Sequence, residues 1–199
     1  MEVIAISGQV RTGTGKKASK LDRKNELIPC VLYGGENPIH FTTKFNDIKP
    51  LVYTPDFKTA EVEIDGAKYT CFIKDVQWHP VSDEVIHIDF LQLIEGNTVK
   101  VQVPVRFKGA SPGVKLGGKL IQNLRRILIK TKPEHLVDEL HLDISELELG
   151  QSIRVRDIEA IDGVEVMNPP ATPVAIVEIP RALRSAADAE EKEAIAESE

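Results

Sequence analysis

Aromatic residues are scarce in this 199-residue chain: six Phe, three Tyr and one Trp, 5% of the total. Any core must therefore rest on Val, Ile and Leu, and the 42% hydrophobic content allows for one. Cysteine is nearly absent. Cys30 and Cys71 match no CxxC spacing and form no disulfide framework, a pattern that suits a reducing compartment. Long apolar runs are missing as well. No stretch approaches the ~18 residues of a membrane helix. The opening "MEVIAISGQV" has no basic residue before its short apolar run, so it is not read as a secretory leader. These absences predict a soluble, cytoplasmic protein with no membrane partner. The 28% of charged residues fits a soluble surface, and the length fits one large domain or two small ones.

Positive charge is also in deficit, at a formal net charge of −6, but its placement matters more than its sum. Arg11 to Lys24 holds six Lys/Arg against Asp22 alone, a local +5. Ser185 to Glu199 holds six acids against Lys192, a local −5. A basic patch in an otherwise acidic chain is the sequence footprint of a polyanion site.

Val3 to Val10 reads as a strand, and "KKASKLDRKNEL" as a short helix over about Lys16–Asn25 that Pro29 closes off. "CVLYGG" and "PIHFTTKF" read as strands. "NDIKPLVYT" reads as a short helix capped by Asn46 or Asp47. Two alternating runs around Asp65-Gly66, "AEVEIDGAKYTCFIKDV", predict a tight hairpin, and "EVIHIDFLQL" a further strand. A second unit begins near Ile94–Asn97. In "VKVQVPVRFKG" the alternation puts Val101, Val103, Val105 and Phe107 on one face and Gln102, Pro104 and Arg106 on the other. Pro104 there implies an edge strand or bulge. "SPGVKLGGKL" reads as a glycine-rich loop. "RRILIKTK", "ELHLDI", "QSIRVRDI" and "PVAIVEIP" supply four more strands. The last fifteen residues read as a disordered or frayed acidic tail. The fold class predicted is mainly β (α+β).

Four stretches could carry chemistry. "GTGKKAS" fails the phosphate-loop pattern: the first required glycine would be Val10, and Lys17 stands where Ser/Thr is needed. Lys16, Lys17 and Lys20 can still share a helix face, with Arg23 and Lys24 one turn on. On the arm alone, a solvated helix and an anion site are equal readings. In "IHIDF" a strand puts Ile86, Ile88 and Phe90 on one face and His87 with Asp89 on the other, as a surface pair or as a site. In "DVQWHP" Gln77 and His79 fall on one face beside Trp78. In "CVLYGG" Cys30 lacks a paired base and reads as a buried thiol, while Tyr33 is either core or a stacking and hydrogen-bonding group. His40, His79, His135 and His141 show no ligand spacing to His87, so no metal is expected. There is no Ser/His/Asp order, no recognisable carboxylate pair and no cofactor fingerprint, which predicts a non-enzyme with no catalytic residues and no cofactor.

Together, "GQVRTGTGKKASKLDRKNELIPCVLYGG", "DVQWHPVSDEVIHIDF", "PEHL" and "LELGQSIRVRDI" make the chain similar, over about residues 3–180, to a known family. It resembles the long form of bacterial large-subunit ribosomal protein twenty-five, the general-stress CTC family, which binds 5S ribosomal RNA. The resemblance implies a six-stranded-type β-barrel with short helices over residues 1–93, an all-β C-terminal domain over 95–182, and the tail at 185–199. It implies docking on the minor-groove side of an irregular RNA helix. The RNA contacts it implies are Arg11, Lys16, Ser19, Lys20, Arg23, Tyr33, Gln77, His79, His87 and Asp89. Relatives often run two arginines and a leucine after "AS"; this chain has "KLD". The partners implied are 5S ribosomal RNA and other large-subunit components, on the ribosome in the cytoplasm, with a protein that is monomeric when free. The alternative is a stress-linked binding module whose C-terminal domain engages a protein.

Overall fold

Alternating apolar residues rich in Val and Ile favour strands over helices, as the computed structural model shows over the residues it describes, 2–35, 37–159 and 161–181. The acidic tail expected at 185–199 lies outside the described residues. Eight elements precede Leu93: β1 (Val3–Val10), α1 (Lys16–Lys24), β2 (Leu27–Tyr33), β3 (Ile39–Lys44), α2 (Phe45–Val52), β4 (Thr59–Ile64), β5 (Ala67–Trp78) and β6 (Val85–Gln92). The strands close into a barrel in the order β1-β3-β2-β6-β5-β4. Closure comes from parallel pairing of β1 with β4, Val3 opposite Thr59 through Gly8 opposite Ile64, and it removes the exposed sheet edge.

The inward positions of these strands fill the barrel. Ile6, Cys30, Leu32, Phe41, Val62, Cys71, Ile88 and Phe90 are all at most 2% exposed, and Phe41 meets Phe90 with ring centroids 5.7 Å apart. Gly8 makes room for this packing: a Cβ there would lie 2.8 Å from the Phe41 ring. The hairpin forms as expected, with Asp65 at φ 49° and Gly66 at φ 83°, the double positive φ of a type I′ turn.

Two expectations fail here for identifiable reasons. Pro29 does not end a segment but lies buried inside β2, opposite Thr42. The parallel ladder with β6 begins only at Cys30, so the missing N–H falls before β2 is flanked on both sides. Neither Asn46 nor Asp47 caps α2. The cap position is Lys44, without a side-chain hydrogen bond, because β3 runs directly into the helix. Asp47 instead sits in the first turn and accepts from Ser7 Oγ at 3.2 Å.

The later elements are β7 (Val99–Lys108), α3 (Pro112–Lys115), β8 (Lys119–Gln122), β9 (Arg126–Thr131), β10 (Leu140–Asp143), β11 (Ser152–Arg154), β12 (Val164–Val166) and β13 (Pro173–Glu178). They form one sheet ordered β10-β7-β9-β12 and another ordered β11-β13-β8. The strands β8 and β12 were not foreseen; both are short and follow glycines. Pro104 is buried, and β7 lies inside its sheet rather than at an edge. It is tolerated because β10 pairs only from Val105 onward. "SPGVKLGGKL" is not simply a loop: Ser111 caps α3 by accepting from the Val114 N–H at 3.3 Å. Among the described residues no helix is long and apolar enough to cross a membrane.

Packing divides the described chain into two compact units. One gathers residues up to Val103 with Ile129–Asp138 and Asp162–Glu165; the other takes Pro104–Leu128, Glu139–Ile161 and the described residues from Val166. The barrel lies wholly in the first. In the second, Ile144, Leu147 and Val177 are buried beneath Phe107, Leu120, Leu149 and Ile153.

Candidate nucleic-acid interface

The helix α1 buries none of its residues, so hydrophobic packing does not hold it in place. Gly15 enters it at φ 98° and Glu26 leaves it at φ 60°, which limits α1 to nine residues. Its fastening is polar. Arg11 Nη2 lies 2.8 Å from Asp22 Oδ2 and donates to Ser19 Oγ at 3.1 Å. The Arg11 side chain is only 9% exposed, and its backbone N–H donates to the His40 carbonyl at 2.9 Å. Arg11 thus ties the end of β1 to α1. At the other end Arg23 Nη1 donates to the Ile86 carbonyl of β6 at 3.5 Å. The "KLD" departure has a structural use, since Asp22 is the partner of Arg11.

Held this way, α1 presents Lys16, Lys17, Lys20, Arg23 and Lys24 to solvent. Lys16, Lys20 and Arg23 follow one another at i, i+4 and i+7 on one face. Among the described residues none of these four lysines forms an ion pair. The basic residues in the last turn, Arg23 and Lys24, also oppose the negative end of the helix dipole.

Beside this cationic row lies the outer surface of β2, β6 and β5. Register sets its composition. Cys30 and Leu32 point inward opposite Ile88 and Phe90, so Val31, Tyr33, His87 and Asp89 take the outward parity. Across the antiparallel ladder, Gln77 stands opposite His87 and Asp75 opposite Asp89. His87 Nδ1 lies 2.8 Å from Asp89 Oδ1, with side chains 26% and 30% exposed. The pair is reachable from solvent, and the contact is a close approach rather than a well-aligned hydrogen bond, since His87 Nδ1 has no hydrogen-bond partner among the described residues. Burial raises the Tyr33 hydroxyl above its ordinary value, and the Asp89 and Asp75 carboxylates add to this. Tyr33 therefore remains a neutral donor and acceptor.

The structure puts Tyr33, Gln77, His87 and Asp89 on one outer face, and α1, which carries Lys16 and Lys20, packs on β2 and reaches β6 through Arg23. Arg11 and Ser19 sit behind them as fasteners. His79 is elsewhere: β5 ends at Trp78, so His79 does not share a strand face with Gln77. Its Nδ1 instead accepts from the backbone N–H groups of Val81 at 3.4 Å and Ser82 at 3.2 Å, closing a turn. Ile86 is only half-buried while Val85 is buried, because pairing skips Ile86 between Gln77–His87 and Trp78–Val85. That bulge breaks the simple alternation expected of "IHIDF". Asp75 was overlooked, although its two-residue spacing from Gln77 gives it the same outward parity.

No group of three or more His, Cys, Asp or Glu able to hold a metal occurs among the described residues. Cys30 and Cys71 are free and buried. Burial pushes the Cys71 thiol up to about 12 and the Cys30 thiol higher, so neither is a nucleophile at neutral pH.

Comparison with known proteins finds two family matches. Residues 6–90 match the ribosomal L25p family, and residues 98–181 match the C-terminal domain of ribosomal protein TL5. The large ribosomal subunit protein bL25 of Amoebophilus asiaticus is 40% identical over 96% of this chain and 98% of its own length. Its counterpart from Cytophaga hutchinsonii is 39% identical over 92% of this chain and 95% of its own. That from Bacteroides fragilis is 37% identical over 95% and 98%.

Proposed function

This chain belongs to the ribosomal L25p family, with the TL5-type C-terminal domain, and from that membership we propose that its barrel binds 5S ribosomal RNA through α1 and the outer face of β2, β6 and β5. The protein is a structural, non-enzymatic constituent of the large ribosomal subunit, acting at the ribosome beside its other components.

One observation carries the reading: exposed cations and neutral or acceptor groups stand on neighbouring elements, in separate rows. Lys16, Lys20 and Arg23 supply phosphate attraction that fixes register but reads no sequence. Tyr33, Gln77, His87 and Asp89 supply directional donors and acceptors. The wide, shallow minor groove of A-form RNA offers 2′-hydroxyls and base edges to such groups. Asp75 and Asp89 would repel phosphates, so their place is over the groove, accepting from 2′-OH or base amino groups.

The reading extends to division of labour. Residues 1–93 are proposed to bind the RNA and residues 95–182 to fold without binding it, with the free protein monomeric. The test is filter binding to 5S RNA with transfer RNA as competitor. The expected result is that 5S RNA is retained against excess transfer RNA. Equal competition by transfer RNA overturns the proposal.

A further inference from the structure

Three exposed aromatic rings stand in a row at one end of the barrel, outside the face just described. Phe45 opens α2, Tyr53 follows its last turn, and Trp78 ends β5. The Tyr53 ring centroid lies 5.9 Å from Phe45 and 5.7 Å from Trp78, at interplanar angles of 79° and 83°. The three residues are 36%, 50% and 41% exposed, whereas Phe41, Phe72 and Phe90 in the core are at most 1%. The barrel has its aromatic core without them. Edge-to-face contacts cover only part of each ring and leave π-surface open.

Phe45 and Tyr53 also line a cavity of about 760 Å³, together with Arg23, Asn25, Lys44 and His79. A volume in the ~300–1,000 Å³ range of small-molecule sites has room for a nucleotide. The lining is matched to one. Flat rings suit a base, and Asn25 suits a base edge. With His79 Nδ1 accepting from the turn, the neutral ring carries its proton on Nε2 and can donate there. Arg23 and Lys44 are cations for a phosphate. Glu26, Asp83 and Glu84 also line the cavity. They disfavour an acidic peptide but can accept from base N–H groups.

The cavity is continuous with the basic row. Arg23 belongs to both, and its hydrogen bond to the Ile86 carbonyl places it next to His87. Resting on the RNA-binding reading, we infer that an unstacked nucleotide of the bound RNA inserts its base into this cavity against Tyr53, with its phosphate toward Arg23 and Lys44.

Trp78 is the only tryptophan in the chain, so intrinsic fluorescence reports on this row. The full-length protein is titrated with hexaadenylate and with an abasic hexamer of equal charge, and in parallel with 5S RNA. The expected result is tighter binding of hexaadenylate by roughly 5- to 150-fold, the range of one base–aromatic stack, with quenching of Trp78 only by that ligand. Tyr53→Ala abolishes the preference and Tyr53→Phe keeps it. Equal affinity for both hexamers without quenching overturns the inference and leaves 5S binding standing. A preference that survives in Tyr53→Ala also overturns it, by placing the base elsewhere. Failure to bind 5S RNA at all sinks both readings.

Discussion

Replacing Asp22 by Asn separates two views of the basic arm. If the arm were only a collection of charges, removing its one acid would raise its net charge and tighten RNA binding. The structure leads to the opposite expectation. Asp22 faces Arg11 at 2.8 Å, the two side chains being 23% and 9% exposed. Among the described residues Arg11 Nε and Asp22 Oδ2 have no hydrogen-bond partner, so the contact is a charge pair, and Asp22 is the carboxylate that offsets the charge of the nearly buried guanidinium. Breaking a fully buried pair by removing one partner costs ~3–5 kcal/mol, and an exposed pair is worth ~0–1 kcal/mol. The partial burial here sets the loss at about 1–3 kcal/mol. For a domain of this size that lowers the melting temperature by roughly 5–20 °C. Because α1 buries no residue of its own, the loss falls on the attachment of the helix, and its cations cease to be held in register. Asp22→Asn is therefore expected to melt earlier and to bind 5S RNA more weakly in spite of its added positive charge. Circular-dichroism melting and filter binding at matched ionic strength measure both quantities, and a cycle with Arg11→Ala isolates the coupling. A variant as stable as the parent that binds RNA more tightly would refute the fastening argument.

Three further outcomes are expected. With about four cations of α1 on phosphates, log affinity should fall with log salt at a slope of roughly −3 to −4, and Lys16→Ala and Lys20→Ala should each flatten it by about 0.7–0.9; a flat parent slope in a salt titration contradicts this. Ile88→Ala, at a position 0% exposed, should cost about 2–5 kcal/mol of stability in urea unfolding, whereas Asp89→Ala should leave the unfolding midpoint nearly unchanged and weaken 5S binding. The Cys71 thiol is raised from 9.0 to about 12 in the folded protein, so its contribution to stability is full below about pH 9 and is lost as pH rises toward 12; melts across that range should show Cys30→Ala/Cys71→Ala losing less stability than the parent.

The barrel was legible because its strands alternate and its hairpin carries Asp65-Gly66, both local signals. The outward parity of the candidate surface was legible for the same reason: alternation alone separates His87 and Asp89 from Ile88 and Phe90. What escaped depended on partners distant in the chain. Nothing near Pro29 or Pro104 reveals that a neighbouring strand starts pairing one residue later. The bulge at Ile86 is set by register with Gln77 and Trp78. The end of β5 at Trp78, which removes His79 from the strand face, is fixed by a turn that His79 itself closes. Arg11 carries the signature of a phosphate ligand, and its ion pair with Asp22 in the helix eleven residues on is visible only in the fold. The aromatic row joins α2 to the end of β5, residues with no common period.

The strand order has a consequence for how the protein is made. In β1-β3-β2-β6-β5-β4, the last strand synthesised enters between β2 and β5, so the sheet stays open until Gln92 has been added. At translation rates of ~5–20 residues per second that takes roughly 5–20 s. The basic helix is complete long before then, while His87 and Asp89 ride on the strand that arrives last. On the proposed reading, a nascent chain meets RNA first through charge alone, an encounter that salt and competing polyanions readily reverse. Discrimination appears only with closure, so a chain released before β6 could adhere to RNA but not select among RNAs.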